Sequence, residues 1–423
     1  MKITIWGNEL LAWTAAAALA ESGNHILLVT NEHEAPNEQD LEFKVSNEPG
    51  LEQLILDAQS NGRLIIGSRA EGIEHASNHI LALNPDQFKT AERLISRISQ
   101  HHSSNTLIIN QSNFGVGSSD KLQSQLDENN NQVICYIPDM LSEGSALQDY
   151  KWPQTIILGC TNDWAILNIK ALMRPFSQAV KQWMIMSSKE AEFTKFANTG
   201  MLALRLGYIN ELANLADQLE VDIEVIREAM ITDPRIGPHY LHPGCGFGGL
   251  HFQQYIEALS ELMTEARNSK LLDTVLIENE KQKEQPFRKL WRHYSCDLRD
   301  KTVTIWGLSF KSGTASIDNA PSLKVIDTLL AQGCKVRMHD PEAMNNILEH
   351  FGEQEQLRYF ENSYEALRGS DGLLLLTDWP EYWSPDYNEI LSSMNHPLII
   401  DGRNIFDKEL LQSLGFTYYG VGR

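Results

Sequence analysis

Cationic charge is scarce in this sequence: 35 Lys plus Arg face 56 Asp plus Glu over 423 residues, a formal net charge of −21. Such a surplus repels nucleic acid and anionic lipid, and no Lys/Arg run supplies a local basic patch, so neither is an expected partner. Cysteine is sparse as well. Its five copies, Cys135, Cys160, Cys245, Cys296 and Cys334, are scattered without CxxC or CxxH spacing. That pattern indicates neither a zinc site nor a disulfide framework, and it fits a reducing compartment. Long hydrophobic runs are missing too: no window reaches the roughly 18 uninterrupted apolar residues of a membrane span. The N-terminal MKITIWGN carries no long apolar stretch behind a basic start, so the expected location is cytoplasmic. Low-complexity segments are absent, and ENNNQ at 128–132 reads as a solvated loop.

What remains is ordinary globular material, 42% hydrophobic and 22% charged, with length for two or three domains. Two segments share one grammar. KITIWG at 2–7 leads into an Ala-rich helical stretch from Leu10 to Ala20, then Gly23 and HILLVTNE. KTVTIWG at 301–307 leads through a longer loop to SLKVIDTLLAQ, then Gly333 and KVRMHDPE. Each is a strand, turn, helix, glycine, strand unit, the opening of a doubly wound parallel sheet. RLIIGS, TLIINQS, QVICYIP and TIILGC extend the first sheet, and GLLLLTDW and PLIIDGR the second. Between about Ser188 and Ser295 the pattern turns helical, broken by DPRIGPHYLHPGCGFGG, whose three Pro and five Gly in 17 residues exclude a helix or strand interior. The expected fold is α/β: two Rossmann-like doubly wound domains, 1–188 and 296–423, joined by a central helical segment, 189–295.

The motifs AEFTKFANTGMLALRLGYINELANL, DPRIGPHYLHPGCGFGG and GLSFKSGTASIDNAPSLKVIDTLLAQGCKVRMHDPEAM, with EGSALQDY and DGRNIF, resemble the UDP-glucose/GDP-mannose dehydrogenase family over essentially the whole chain. The resemblance implies an N-terminal NAD domain, a dimer-forming central helix and a C-terminal domain that helps hold a nucleotide sugar, most simply a UDP-sugar. It also implies oxidation of a sugar C6 alcohol to a carboxylate with two NAD reductions.

The residues depart from that pattern where the chemistry sits. A dinucleotide turn needs glycines so that backbone approaches the pyrophosphate at a helix N-terminus. Here Gly7 is followed by Glu9 and Ala12 at the second and third glycine positions, and Thr30 stands where a ribose-binding acid is implied. Glu9 brings a negative charge to the wrong place. A thiolate suits the aldehyde-to-acid step. The family's cysteine position is His251, with Gln254 and Tyr255 at the lysine and aspartate that follow it. Cys245 lies six residues earlier, in register with the family's loop, and is not a displaced nucleophile. Lys195 is retained, whereas its partner one turn on is Thr199; Asn198 is turned by about 100° on an ideal helix. Asn113 replaces a threonine and Asp139 a glutamate, so of six catalytic-region positions only Lys195 is unchanged.

The substrate side matches better. Glu143, Gly246, Gly248, Gly249, Phe310, Lys311 and Arg403 all stand at positions the family uses around the nucleotide sugar. A Gly-rich loop with Lys311 and Arg403 suits a pyrophosphate. The cofactor-side Arg-Glu pair after the Lys loop is replaced by Asp318 and Asn319. No metal ligand set accompanies His251, which reads as a loop-packing residue. His101 and His102 read as solvent-exposed, Trp6 and Trp306 as strand-end packing, and Glu278, Glu280 and Glu284 with Lys281 and Lys283 as a solvated helix face. The expectation is a degenerate member of the family that keeps nucleotide-sugar binding or a partner role, pairing with an active paralogue; a separate reading is a scaffold whose helical segment forms a homo- or heterodimer in a polysaccharide-synthesis assembly. The alternative is an active NAD-dependent 6-dehydrogenase or two-electron oxidoreductase with a rearranged site.

Overall fold

The computed structural model describes residues 1–30 and 48–423. Asn31 and Glu32, read above as the end of the second strand, lie outside the described residues. The chain divides into two compact units, Met1–Ala197 and Asn198–Arg423.

In the first unit β1 (Lys2–Trp6), β2 (His25–Val29), β3 (Leu64–Ile66), β4 (Asn78–Leu81), β5 (Thr106–Asn110), β6 (Gln132–Tyr136), β7 (Thr155–Gly159) and β8 (Gln182–Met186) form one sheet, ordered β3-β2-β1-β4-β5-β6-β7-β8. Every neighbouring pair is parallel except β6 and β7, which run antiparallel and meet only at Tyr136 and Gly159. The apolar runs of the inner strands are buried because helices cover both faces, as parallel sheets require, whereas the edge strands leave Ile65, Met184 and Ile185 exposed. The helix Leu10–Glu21 buries residues from Ala12 to Ala20 without a polar stripe; its small side chains let it lie close to the sheet and to the helices Leu51–Ser60 and Ala146–Lys151.

In the second unit β9 (Thr302–Trp306), β10 (Lys335–His339), β11 (Leu357–Tyr359), β12 (Gly372–Leu375), β13 (Leu398–Asp401) and β14 (Thr417–Tyr419) are ordered β11-β10-β9-β12-β13-β14, all parallel. Both sheets thus reverse strand order beside their first strand, the two doubly wound sheets expected. β4, β8, β11 and β14 were not among the anticipated strands: NHIL, LRY and TYY carry too few consecutive apolar residues to stand out, whereas QWMIM holds four and was passed over.

The central region is helical, with Ser188–Leu219, Ile223–Ile231, Leu250–Arg267, Leu271–Gln282 and Gln285–His293, and the loop at 233–249 falls where its Pro and Gly content placed it. Four local expectations change. Lys283 is no solvated helix residue: its side chain is 2% exposed and ion-paired to Glu280. His102 is half-buried, its ring 5.5 Å from that of buried His79. Gln132 is buried and opens β6, so only the turn before it is solvated. His251 belongs to the exposed first turn of a helix rather than to a packed loop.

Candidate functional site

In open α/β sheets ligands bind beyond the strand C-termini where strand order reverses. At that point in the first unit Gly7 follows β1 with φ +149°, and a Cβ there would stand 1.9 Å from the Ala82 carbonyl oxygen that follows β4. Only glycine fits this crossing, so Gly7 serves the fold whether or not a ligand arrives. Glu9 is the half-buried N-cap residue of the helix Leu10–Glu21 and makes no side-chain capping bond. An acidic residue at this N-cap adds negative charge beside the helix N-terminus that a phosphate would use, and like charges repel. Ala12 is fully buried, and a small residue there suits close packing of helix on strand. Thr30 is buried, and its hydroxyl has no hydrogen-bond partner among the described residues. Gly7 and Ala12 fit a dinucleotide turn, and Glu9 at the second glycine position is the residue that does not fit a pyrophosphate.

The catalytic-region residues of the first unit do converge. Asn113 follows β5 and is buried; its Oδ1 accepts a hydrogen bond of 2.7 Å from the Tyr136 hydroxyl at the tip of β6. Three residues on, Asp139 turns the loop by accepting from the Leu141 amide at 2.9 Å, and its carbonyl accepts from the Lys195 ammonium. Lys195 is buried, and desolvation pulls its pKa below the ordinary lysine value against the opposing pull of the Asp139 charge. One turn earlier on the same helix, buried Glu192 takes the Gly117 amide at 2.6 Å, the Ser118 hydroxyl at 2.8 Å and the Ser119 amide at 2.8 Å. It thereby caps the helix Ser118–Gln123 and anchors the loop bearing Asn113. Sequence reading missed Glu192 and Tyr136. The three-residue spacing of Glu192 and Lys195, which puts both on one helical face, was the available signal for the first. Glu143 is half-buried beside Gly144, whose amide donates to Glu48 at 2.7 Å.

The second unit gathers the remaining residues. Thr199 is buried four residues beyond Lys195 in the same helix, while Asn198 is exposed, as the helical angle required. The glycine loop is held from several sides. The Gly249 amide donates to the Asp318 carbonyl at 2.8 Å, and Cβ atoms at Gly248 and Gly249 would lie 2.8 and 3.0 Å from Phe310. Gly246 has φ +91° and faces Asn279 and Lys283. The Lys283 ammonium also donates to Asn319, so a buried lysine reaches the very loop whose family arginine is missing. Asn210 accepts from the Gly244 amide at 2.9 Å, and Gln282 donates to the Gly244 carbonyl at 2.7 Å. Arg403 spans two carbonyls, Leu376 at 2.7 Å and Phe310 at 3.2 Å, and Lys311 lies 5.7 Å from the Phe310 ring. Gly246, Gly248, Gly249, Phe310, Lys311 and Arg403 are therefore one cluster. Asn210, Asn279, Gln282 and Lys283 are its unforeseen supports, hidden because polar residues on a charged helix read as solvent-facing.

His251 is exposed, stacking at 6.1 Å on Tyr255 one turn along, and no group of His, Cys, Asp or Glu among the described residues can hold a metal. Cys245 is fully buried with its thiol against the Leu376 carbonyl, and burial pushes its pKa up, which suits packing and not nucleophilic attack.

Two doubly wound parallel sheets, one with a dinucleotide-type turn and one with a glycine-rich loop beside Lys311 and Arg403, define a dehydrogenase-type protein with a second, nucleotide-binding-type domain. The chain belongs to the UDP-glucose/GDP-mannose dehydrogenase family: it matches the family's NAD binding domain over residues 1–177, its central domain over 189–281 and its UDP binding domain over 304–408. It is 31% identical to a UDP-glucose 6-dehydrogenase of Pseudomonas aeruginosa, covering 100% of this chain and 98% of that protein. Identity to the UDP-glucose 6-dehydrogenase YwqF of Bacillus subtilis is 29%, covering 100% and 98%. Among solved structures it resembles a UDP-glucose dehydrogenase from Pyrobaculum islandicum, with TM-score 0.86 and 25% identity over 100% of this chain and 97% of the other. A UDP-D-ManNAc dehydrogenase from Pyrococcus horikoshii shares the fold, with TM-score 0.83 and 22% identity over 100% and 99%. No helix of the described residues is long and apolar enough to cross a membrane.

Proposed function

We propose that this protein is a degenerate nucleotide-sugar dehydrogenase, which holds a UDP-sugar on its second unit and does not carry out the NAD-dependent four-electron oxidation. One observation carries the reading. The family's nucleophile position is an exposed histidine, and Cys245, the cysteine nearest in sequence, is sealed in the core with its thiol pKa raised. Acyl transfer needs an accessible, ionisable thiol. The carboxylate of Glu9 at the dinucleotide turn supports the same conclusion from the cofactor side. Binding is supported by the Gly246–Phe310–Arg403 cluster, whose amides and cations suit a pyrophosphate.

The test is a thermal-shift titration with NAD, NADH, UDP-glucose and UDP-glucuronate, because a ligand of the folded state raises the melting temperature by mass action. Stabilisation by the UDP-sugars and not by NAD or NADH is the expected result. Formation of NADH and a UDP-sugar acid by the pure protein overturns it.

A second reading has its own observation: Lys195 and Asp139 remain in contact, with the amine driven towards its neutral form by burial. That pair suits a two-electron alcohol–aldehyde interconversion, in which Lys195 moves the hydroxyl proton and Asp139 orders a water. Reduction of NAD without acid product distinguishes it.

The helix Ser188–Leu219 also supports a homodimer. Met201, Tyr208 and Leu215, seven residues apart, are 58%, 58% and 47% exposed. A stripe of that period covers a partner helix. Light scattering is expected to give a dimer that Tyr208→Glu converts to monomer.

A further inference from the structure

The antiparallel junction in the first sheet carries a feature that the family chemistry does not use. Tyr136 of β6 is registered with Gly159 of β7, so antiparallel pairing sets Cys135 directly opposite Cys160. The ladder says which kind of pair this is. The Cys160 amide donates to Met186 on the β8 side, and the Ile137 amide donates to Asn110 on the β5 side. Amides two residues apart in a strand point the same way, so Cys135 also directs its N–H away from Cys160. The two cysteines form a non-hydrogen-bonded pair, the narrow kind, with Cα atoms about 4.5 Å apart, inside the range a disulfide spans. Their sulfurs are 2.6 Å apart, and both side chains are buried.

Both tips lead to the convergent loops of the first unit. Beyond Cys135 come Tyr136, whose hydroxyl holds Asn113, and then Asp139. Just before Cys160, a Cβ at Gly159 would lie 2.7 Å from Ser188 Cα and 2.9 Å from Ala191 Cβ, so β7 packs on the first turn of the helix that presents Lys195. The junction therefore sets the spacing between the strand that delivers Asp139 and the helix that delivers Lys195.

We propose that Cys135 and Cys160 are a thiol switch, forming a reversible disulfide that ties β6 to β7 and locks the Asp139 loop against the Lys195 helix. The oxidant is a peroxide. Cys160 leads, because the Cys135 thiol donates to it and favours its thiolate. The Cys160 thiolate attacks one peroxide oxygen, the O–O bond breaks, and a sulfenic acid and hydroxide result. Cys135 sulfur then attacks the Cys160 sulfur, the S–O bond breaks and water leaves with the Cys135 proton. Two thiols lose two electrons and two protons, and one peroxide becomes two waters. Access comes through opening of a junction held by a single registered pair, the weakest seam of the sheet.

The experiment uses the full chain with Cys296→Ser, which removes the exposed thiol. After hydrogen peroxide, quenching and denaturing alkylation, the expected result is two fewer alkylated cysteines. A proteolytic peptide linking 135 to 160 is expected alongside, and dithiothreitol reverses both. Adding Cys160→Ser abolishes the link and leaves Cys135 alkylatable; Cys135→Ser leaves Cys160 as a sulfenic acid trapped by dimedone. Full alkylation of both cysteines after peroxide overturns the proposal, as does oxidation to sulfinic acid without the linked peptide. Retention of cross-linking in the Cys160→Ser protein overturns it equally.

Discussion

Asn279 and Phe247 close a two-bond ring: the Phe247 amide donates to Asn279 Oδ1 at 2.9 Å, and Asn279 Nδ2 donates to the Phe247 carbonyl at 3.0 Å. Both residues are buried, so the glycine loop has its central backbone groups satisfied by one side chain. Asn279→Ala leaves an amide and a carbonyl without partners. A loss of about 2–4 kcal/mol in denaturant unfolding is expected, with weaker stabilisation by UDP-glucose in the thermal-shift assay. Asn279→Ala with unchanged stability would show that the ring does not hold the loop.

Gly7 and Gly62 separate two costs of replacing a glycine. Both have positive φ, but a Cβ at Gly7 meets the Ala82 carbonyl at 1.9 Å while one at Gly62 meets nothing within 4 Å. Gly62→Ala is expected to cost about 1 kcal/mol from backbone strain alone. Gly7→Ala is expected to cost 3 kcal/mol or more, roughly a 10 °C fall in melting temperature or failure to fold. Equal melting temperatures for the two variants would contradict the close crossing.

Glu9 gives a gain-of-function test of the dinucleotide turn. Removing its charge with Glu9→Gly takes away an unfavourable interaction with a phosphate of about 0.3–1 kcal/mol and opens the turn. Stabilisation by NAD is expected to be larger in this variant than in the unaltered protein. An identical NAD response in both would show that the carboxylate is not what opposes the cofactor.

His79 makes the first unit acid-sensitive. It is fully buried, its Nδ1 accepting from the Trp6 indole at 3.3 Å, and burial, followed by repulsion from His102, His75 and His101, lowers its pKa from 6.5 to about 3. The folded state thus favours neutral His79, while the unfolded chain takes up the proton as pH falls through 6.5. Stability from this group is complete above that pH and is lost down to about pH 3, by about 2 kcal/mol at pH 5. Chemical denaturation at pH 7.5 and pH 5 should show a loss that shrinks in His79→Gln; the same slope in both proteins would remove His79 as its source.

Much of the architecture was legible because it is local. KITIWG and KTVTIWG are apolar, β-branched and glycine-ended, and they became β1 and β9 with Trp6 and Trp306 buried at their ends. The grouping of Gly246, Gly248, Gly249, Phe310, Lys311 and Arg403 was legible through resemblance, since those motifs carry their own spacing. Lys283 and His102 were misread because their neighbours in sequence are polar, and what buries a side chain is its neighbours in space.

The sequence by itself determined the opening strand–helix–strand grammar of both units, the charge balance and the identity of the residue at each catalytic-region position. Backbone preference and apolar periodicity act over a few residues, so a linear reading reaches them. Only the tertiary structure decided that β7 runs against β6, that Glu192 and Lys195 hold two separate loops from one helical face, and that Cys135 faces Cys160 across a narrow pair. Strand order and direction follow from how connections pack over a sheet, a long-range property that no window of sequence contains.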